Sequence, residues 1–322
     1  MGCGWAQEYT VLQSHTTETL RGVSAVSAQV VWASGTHGTY LRTRDGGRTW
    51  KAAQVPGAEG LDFRDVEGFS ADTAYLLSAG PGEQSRIYKT TDGGGHWTVQ
   101  LTNHDPAGFW DCMGFWDSEH GIAMGDPVKG KFSVLATSDG GKQWNELAGP
   151  AAMEGEGAFA ASGSCLTTQG RKRAWFVTGG KAARVFRSGD RGKSWRVADA
   201  PITHGAESAG VFSIAFRDAK HGVIVGGDYK QPAAGAANVA FSRDGGATWT
   251  LSALQPQSYF SAVAFGGKDV LAVGTARAVR FDEHKTVALK VWELNLNAVS
   301  AARNGVIFGV GANGAVVKFV VR

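Results

Sequence analysis

Five carboxylates, Asp65, Asp111, Asp126, Glu156 and Asp228, are the residues in this chain best suited to acid–base chemistry on a sugar. Two carboxyls held about 5–10 Å apart can cleave a glycosidic bond, one giving a proton while the other attacks or activates water. That reading requires at least two of the five to converge in a deep pocket, one with a raised pKa. The histidines offer less. His120 and His221 occupy the same phase of two similar stretches, Asp117-Ser-Glu-His120-Gly121 and Asp218-Ala-Lys-His221-Gly222, and so read as turn elements. The string Gly309-Val-Gly311-Ala-Asn-Gly314 has the spelling of a dinucleotide fingerprint. Such a fingerprint must open a helix, whereas the eight residues that follow read as strand. No G-x-S-x-G, H-E-x-x-H or P-loop occurs. We therefore expect no cofactor and no metal.

Composition narrows the class. The 322 residues include 43% apolar and 19% charged positions, a globular balance. There are 46 Gly and only 8 Pro, which points to many tight turns. A net charge of +3, without a run of four Lys/Arg, argues against nucleic acid as a partner. No apolar stretch approaches the roughly 18 residues of a transmembrane helix. The three cysteines, Cys3, Cys112 and Cys165, are an odd number without a C-x-x-C, and offer no disulfide framework. No signal peptide is written at the start. A mature form with its leader removed, periplasmic or secreted, is the expectation. On that view Cys3 is either a lipidation cysteine or a leftover thiol.

The elements that would position these residues come from a repeat. Five segments match [ST]-x-D-x-G-x-x-W: Thr43–Trp50, Thr90–Trp97, Thr137–Trp144, Ser188–Trp195 and Ser242–Trp249. Their tryptophans are 47, 47, 51 and 54 residues apart, and Trp292 follows a degenerate sixth copy. Asp-Gly between apolar runs is a hairpin signal, because Gly accepts positive φ. The carboxylate and the preceding hydroxyl can cap the turn amides, a stronger reading than calcium, whose D-x-D-x-D-G loop is missing. Each motif has a strand on either side and two more upstream, which makes a four-stranded blade. The expected fold is all-β: one seven-bladed β-propeller domain over residues 1–322. Its blades span roughly 20–55, 60–102, 109–149, 158–199, 209–254, 258–294 and 297–322. The last lacks an outer strand, and Glu8–Gln13 is spare, so this N-terminal strand should join the C-terminal blade and close the ring.

Motifs of this kind, so arranged, resemble the BNR/Asp-box repeat superfamily, over nearly the whole chain. Within it the chain is most similar to the seven-bladed photosystem II stability/assembly factor-like group, which has many bacterial members. The resemblance implies a binding face opposite the motif turns. That face would be built from the loops between blades and those joining second and third strands. It would bring together Arg21, His37, Arg64, Asp65, Arg86, Trp110, Asp111, Asp126, Glu156, Lys181, Arg184, His204, Asp228, Tyr229 and Tyr259. Trp110 could stack there on a sugar or peptide. Sialidases of the superfamily carry an F-R-I-P arginine in blade 1, where this chain reads Leu20-Arg21-Gly22-Val23. A typical sialidase is therefore not expected. The resemblance implies a non-catalytic binding or assembly module, a monomer holding a protein or peptide at the central channel. The alternative is a carbohydrate-active enzyme, hydrolase or lyase, using paired carboxylates at the channel mouth.

Overall fold

The structure is a computed structural model that describes residues 9–234, 237–285, 287–303 and 305–320. Cys3, Glu8 and Val321 lie outside the described residues. Seven antiparallel four-stranded blades surround a central channel, and no α-helix occurs among the described residues. Blade 1 is Leu20–Ala25, Val31–Gly35, Thr39–Thr43 and Lys51–Gln54. Blade 2 runs from Phe63–Gly68 to Thr98–Thr102, and blade 3 from Trp110–Phe115 to Asn145–Glu146. Blade 4 begins at Leu166–Gln169 and ends at Arg196–Asp199. Ala209–Phe216 opens blade 5 and Ala262–Gly266 opens blade 6. Blade 7 has Ala298–Ala301, Val306–Val310 and Val316–Val320. Its outer strand is Tyr9–Leu12, paired antiparallel with Val316–Val320 in the register Tyr9↔Phe319 to Leu12↔Val316. The N-terminal strand thus closes the ring, as the repeat count requires.

The five repeated turns are capped from within. In the first, Gly47 N–H donates to Oγ1 of Thr43 at 3.0 Å, and Thr49 N–H donates to Oδ1 of Asp45 at 2.9 Å. The same pair of bonds recurs around Asp92, Asp139, Asp190 and Asp244. These bonds consume the carboxylates and explain the motif as turn chemistry. His120 and His221 behave alike: each ring Nδ1 meets a carboxylate three residues earlier, Asp117 or Asp218.

The turns also tie one blade to the next. Tyr40 of blade 1 donates its hydroxyl to the carbonyl of Gly94 in blade 2, and Tyr75 of blade 2 to Gly140 in blade 3. Across the closure, Lys318 Nζ donates to the carbonyl of Gly46 at 3.0 Å. Apolar layers fill the wedges between blades. Trp175 of blade 4 stacks on Phe216 of blade 5 with ring centroids 3.9 Å apart, and within blade 4 the cross-strand pair Phe176 and Phe186 stacks at 4.5 Å. Such pairs add about 0.5–1.5 kcal/mol each beyond their buried area.

The cysteines depart from expectation. Cys112 and Cys165 form a disulfide, with Cα atoms 6.1 Å apart and both side chains fully buried. It joins the innermost strand of blade 3 to the start of blade 4. An odd total count concealed one genuine pair 53 residues apart.

Candidate functional site at the channel mouth

Four of the seven innermost strands, those of blades 1, 2, 3 and 5, share an irregularity. Their pairing slips by one residue between Leu20 and Gly22, Phe63 and Asp65, Trp110 and Cys112, and Val211 and Ser213. The extra residues are Arg21, Arg64, Asp111 and Phe212. A bulge re-aims the unpaired side chain. Here it does so at one level of the ring, near the strand starts that form the loop-face mouth.

A segment of the chain itself fills that mouth. Residues 158–164 leave blade 3 and touch blades 2, 3, 5 and 6 before entering blade 4. Ala158 N–H donates to Oδ1 of Asp126 at 2.8 Å. Phe159 stacks on Phe212 of blade 5, centroids 3.9 Å apart. The Ala160 carbonyl accepts from Nη1 of Arg64 in blade 2 at 3.0 Å. Ser162 Oγ donates to the carbonyl of Ser261 at the edge of blade 6, and Ser164 Oγ meets Ser213 Oγ of blade 5 at 2.7 Å. Only a segment on the ring's axis can reach blades 2, 5 and 6 together. Gly163 has a φ of 72°, and a Cβ there would collide with the Asp65 carboxylate. Both facts require glycine at that position.

Basic and aromatic side chains surround the segment. Arg64 is aimed by Asp62, whose Oδ2 accepts from Nε at 2.7 Å. Arg21 stands beside Arg64, Asp62 and Tyr259. Burial, then the neighbouring Arg64 charge, lowers its pKa. Its Nε is buried without a hydrogen-bond partner among the described residues, as is Oδ1 of Asp62. Tyr259 is buried, and that burial raises its pKa. Its ring contacts Phe212 edge-on at 4.8 Å, and Tyr229 lies 6.5 Å away with 47% of its surface exposed.

The carboxylates do not assemble as a catalytic pair open to a substrate. Glu156 is locked by Arg184, whose Nε donates to Oε1 at 2.9 Å and whose Nη2 contacts Oε2. Thr178 Oγ1 donates to the same Oε1 at 2.6 Å. Asp65 accepts the Met113 amide of blade 3 at 2.7 Å. Asp228 caps its own turn through the Lys230 amide. Asp111 and Asp126 do adjoin. Burial, then Asp126, raises the Asp111 pKa, but this residue lies 1% exposed beside Ala160 and Arg64. Burial also raises Asp126.

Several expected members stand apart. Trp110 is buried between blades 2 and 3 in an apolar cluster with Tyr75, Leu77 and Ile87, so it offers no stacking platform. The bulge turns Asp111, not Trp110, toward the channel. Arg184 is consumed by Glu156. His37 pairs with Glu18, Arg86 with the Glu83 carbonyl, Lys181 with Glu154, and His204 with the carbonyl of Ile202. Of these four, only His37 reaches toward the mouth cluster, through an electrostatic interaction with Asp62. Residues that the repeat did not single out complete the site: Asp62, Phe159, Ala160, Ser162, Phe212 and Ser213. The stretch between Glu146 and Leu166, longer than any other connection between blades, was the available signal.

No family model and no curated protein sequence matches the chain. Solved structures are similar in fold. A structure of YCF48 bound to D1 peptide is 16% identical, covers 98% of both chains and superposes with a TM-score of 0.69. YCF48 from Cyanidioschyzon merolae is 20% identical over 97% of this chain and 99% of that one, with a TM-score of 0.61. U3-55K is 12% identical over 98% of both chains, at 0.71. At these identities the likeness is one of fold, the seven-bladed propeller.

Proposed function

We propose that the chain is a non-catalytic binding module that captures a protein or peptide partner on the loop face, around the filled channel mouth. The observation that carries this reading is the Arg21–Arg64 pair. The Arg21 guanidinium interacts electrostatically with Arg64 and with the carboxylate that Arg64 pairs with, Asp62, and among the described residues Arg21 Nε has no hydrogen-bond partner. A buried donor without an acceptor is costly, and a guanidinium fork suits a carboxylate. An acidic side chain or a chain-terminal carboxylate of a partner would satisfy it. The half-exposed Tyr229 beside it offers an apolar anchor of the kind that dominates recognition.

Three further observations support the reading. The carboxylates are engaged or buried, which speaks against glycoside chemistry. The similar solved structure of YCF48 holds a peptide. The buried disulfide suits an oxidising compartment, periplasmic or extracellular.

Selection from a random peptide display library tests the proposal. Wild-type protein should enrich acidic or carboxylate-terminated peptides, and Arg21→Glu should weaken the selected peptides at least about tenfold, or about 1.4 kcal/mol. Equal binding by the variant, or enrichment without acidic character, would sink the mouth as the binding face.

A further inference from the structure

The net charge of +3 conceals a strong asymmetry. Residues 166–199, which make blade 4, hold nine Lys/Arg against two Asp, a local charge of +7, so the rest of the chain carries −4. Three of the nine lie on one sheet face. Trp175 pairs with Arg187, and Arg187 pairs directly with Arg196 on the outer strand. Arg173 lies two residues before Trp175 on the same face. Like charges directly opposite one another destabilise a sheet. No hydrogen bond or ion pair from these three guanidiniums to a described residue offsets this.

The three arginines line one cleft of about 380 Å³ between blades 4 and 5, with Ser188, Gly189 and Ser194. Asp190 and Asp244 also line it, but both are committed to their own turns. Trp175 forms its wall, fixed by its stack on Phe216 and by an Nε1 bond to the Gly245 carbonyl at 2.9 Å. The cleft therefore presents free donors on a rigid support, on the motif-turn side of the ring and apart from the channel mouth.

We propose that this cleft is an oxyanion site that seats a phosphate or sulfate group on Arg173, Arg187 and Arg196. A carboxylate has two oxygens and one charge, which leaves one of the three forks that line the cleft unsatisfied. A tetrahedral dianion has oxygens for all three and relieves the Arg187–Arg196 repulsion. The excess positive charge of the blade raises the local concentration of such a ligand.

The test is thermal unfolding and calorimetry at constant ionic strength, with inorganic phosphate or sulfate replacing chloride. Either anion should raise the midpoint of the wild-type protein. Arg187→Gln/Arg196→Gln should melt higher than wild type in chloride alone and lose the added shift, with phosphate affinity down at least tenfold. An equal shift in both proteins would be general salting-out and would overturn the site. So would the absence of any shift. A second arm uses one peptide in phosphoserine and glutamate forms. Tighter binding of the phosphoserine form than of free phosphate identifies a group carried on a protein, and equal binding identifies the free ion. Preference for the glutamate form, or an oligonucleotide that binds where phosphate does not, overturns the proposal.

Discussion

Arg64 donates from Nη1 to the carbonyl of Ala160 at 3.0 Å, joining two residues 96 positions apart across the mouth of the channel. The bond holds a mouth segment that carries no charge of its own. Replacing Arg64 with alanine should lower stability by about 1.5–3 kcal/mol, the range for a hydrogen bond to a charged group. Amide exchange should quicken in residues 158–164 and stay slow in the second strands of the blades. Unchanged exchange in that segment would show that its packing, led by Phe159 on Phe212, suffices without the arginine.

The Cys112–Cys165 bond closes a loop of 53 residues. By the loop-entropy estimate it contributes about 4 kcal/mol against the unfolded state. Because both sulfurs are fully buried, reductant should act only on molecules that open. Cys112→Ala/Cys165→Ala should show a urea midpoint lowered accordingly, while native protein in dithiothreitol keeps the wild-type midpoint for hours. Thiol labelling of both cysteines in denaturant without reductant would refute the bond.

The blades were legible because their signal is local and repeated. Asp-Gly turns at fixed distance from a tryptophan, with apolar runs on either side, specify hairpins whatever the rest of the chain does. Ring closure was legible for the same reason, since one strand was spare and one was missing. The site was not. Residues 158–164 are Ala, Phe, Ser and Gly, with no charge or turn pattern, and their place on the axis exists only once seven blades surround them. The bulges at Arg21, Arg64 and Asp111 add one residue to strands that otherwise alternate. Trp110 was expected at the mouth because it starts an innermost strand, but the bulge aims Asp111 there and leaves Trp110 in the apolar cluster between blades 2 and 3. The Cys112–Cys165 pair depends on two inner strands being neighbours, which spacing alone does not reveal.

The repeated turns should matter for stability and not for capture. Asp139 accepts from Thr137 Oγ1 at 2.9 Å and from the Gln143 amide at 3.0 Å. Asp139→Ala should cost about 1–2 kcal/mol, as for loss of a capping residue. Peptide binding at the Arg21–Arg64 face should be unaffected, and calcium should leave the melting temperature of either protein unchanged. A calcium-dependent shift in the wild type alone would reassign these carboxylates to metal.

Deleting residues 1–13 should open the ring. The Tyr9 ring contacts both Trp292 and Phe319, at 6.2 and 6.0 Å between centroids, and these contacts go with the strand. More importantly, Val316–Val320 would become an unprotected edge with free backbone donors and acceptors. The truncated protein should self-associate, read as concentration-dependent light scattering, and a synthetic peptide of residues 1–13 should suppress it. A monomeric, equally stable truncation would show that closure is dispensable.

Asp65 and Glu67, on the innermost strand of blade 2, should give stability an unusual pH dependence. Burial pushes Glu67 up to about 7. Asp65, two residues earlier on the same strand, is raised well above its ordinary value by burial and by Glu67. An unfolded glutamate titrates near 4.3. Between about pH 4.5 and 7 the folded chain thus holds protons that the unfolded chain releases, and stability must fall as pH rises. On the acid side the sign reverses. The Thr49 hydroxyl and amide hold Asp45 down to about 2, and the Lys220 and His221 amides do the same for Asp218. Their stabilisation is lost as pH drops below about 4. Urea unfolding should therefore show a maximum near pH 4–5, with a decline on the order of 2 kcal/mol toward pH 7. Glu67→Gln, which keeps the shape and cannot ionise, should flatten much of that decline and leave the acid limb in place. A wild-type profile that is flat from pH 5 to 7, or a slope that Glu67→Gln does not alter, would remove Glu67 as its source.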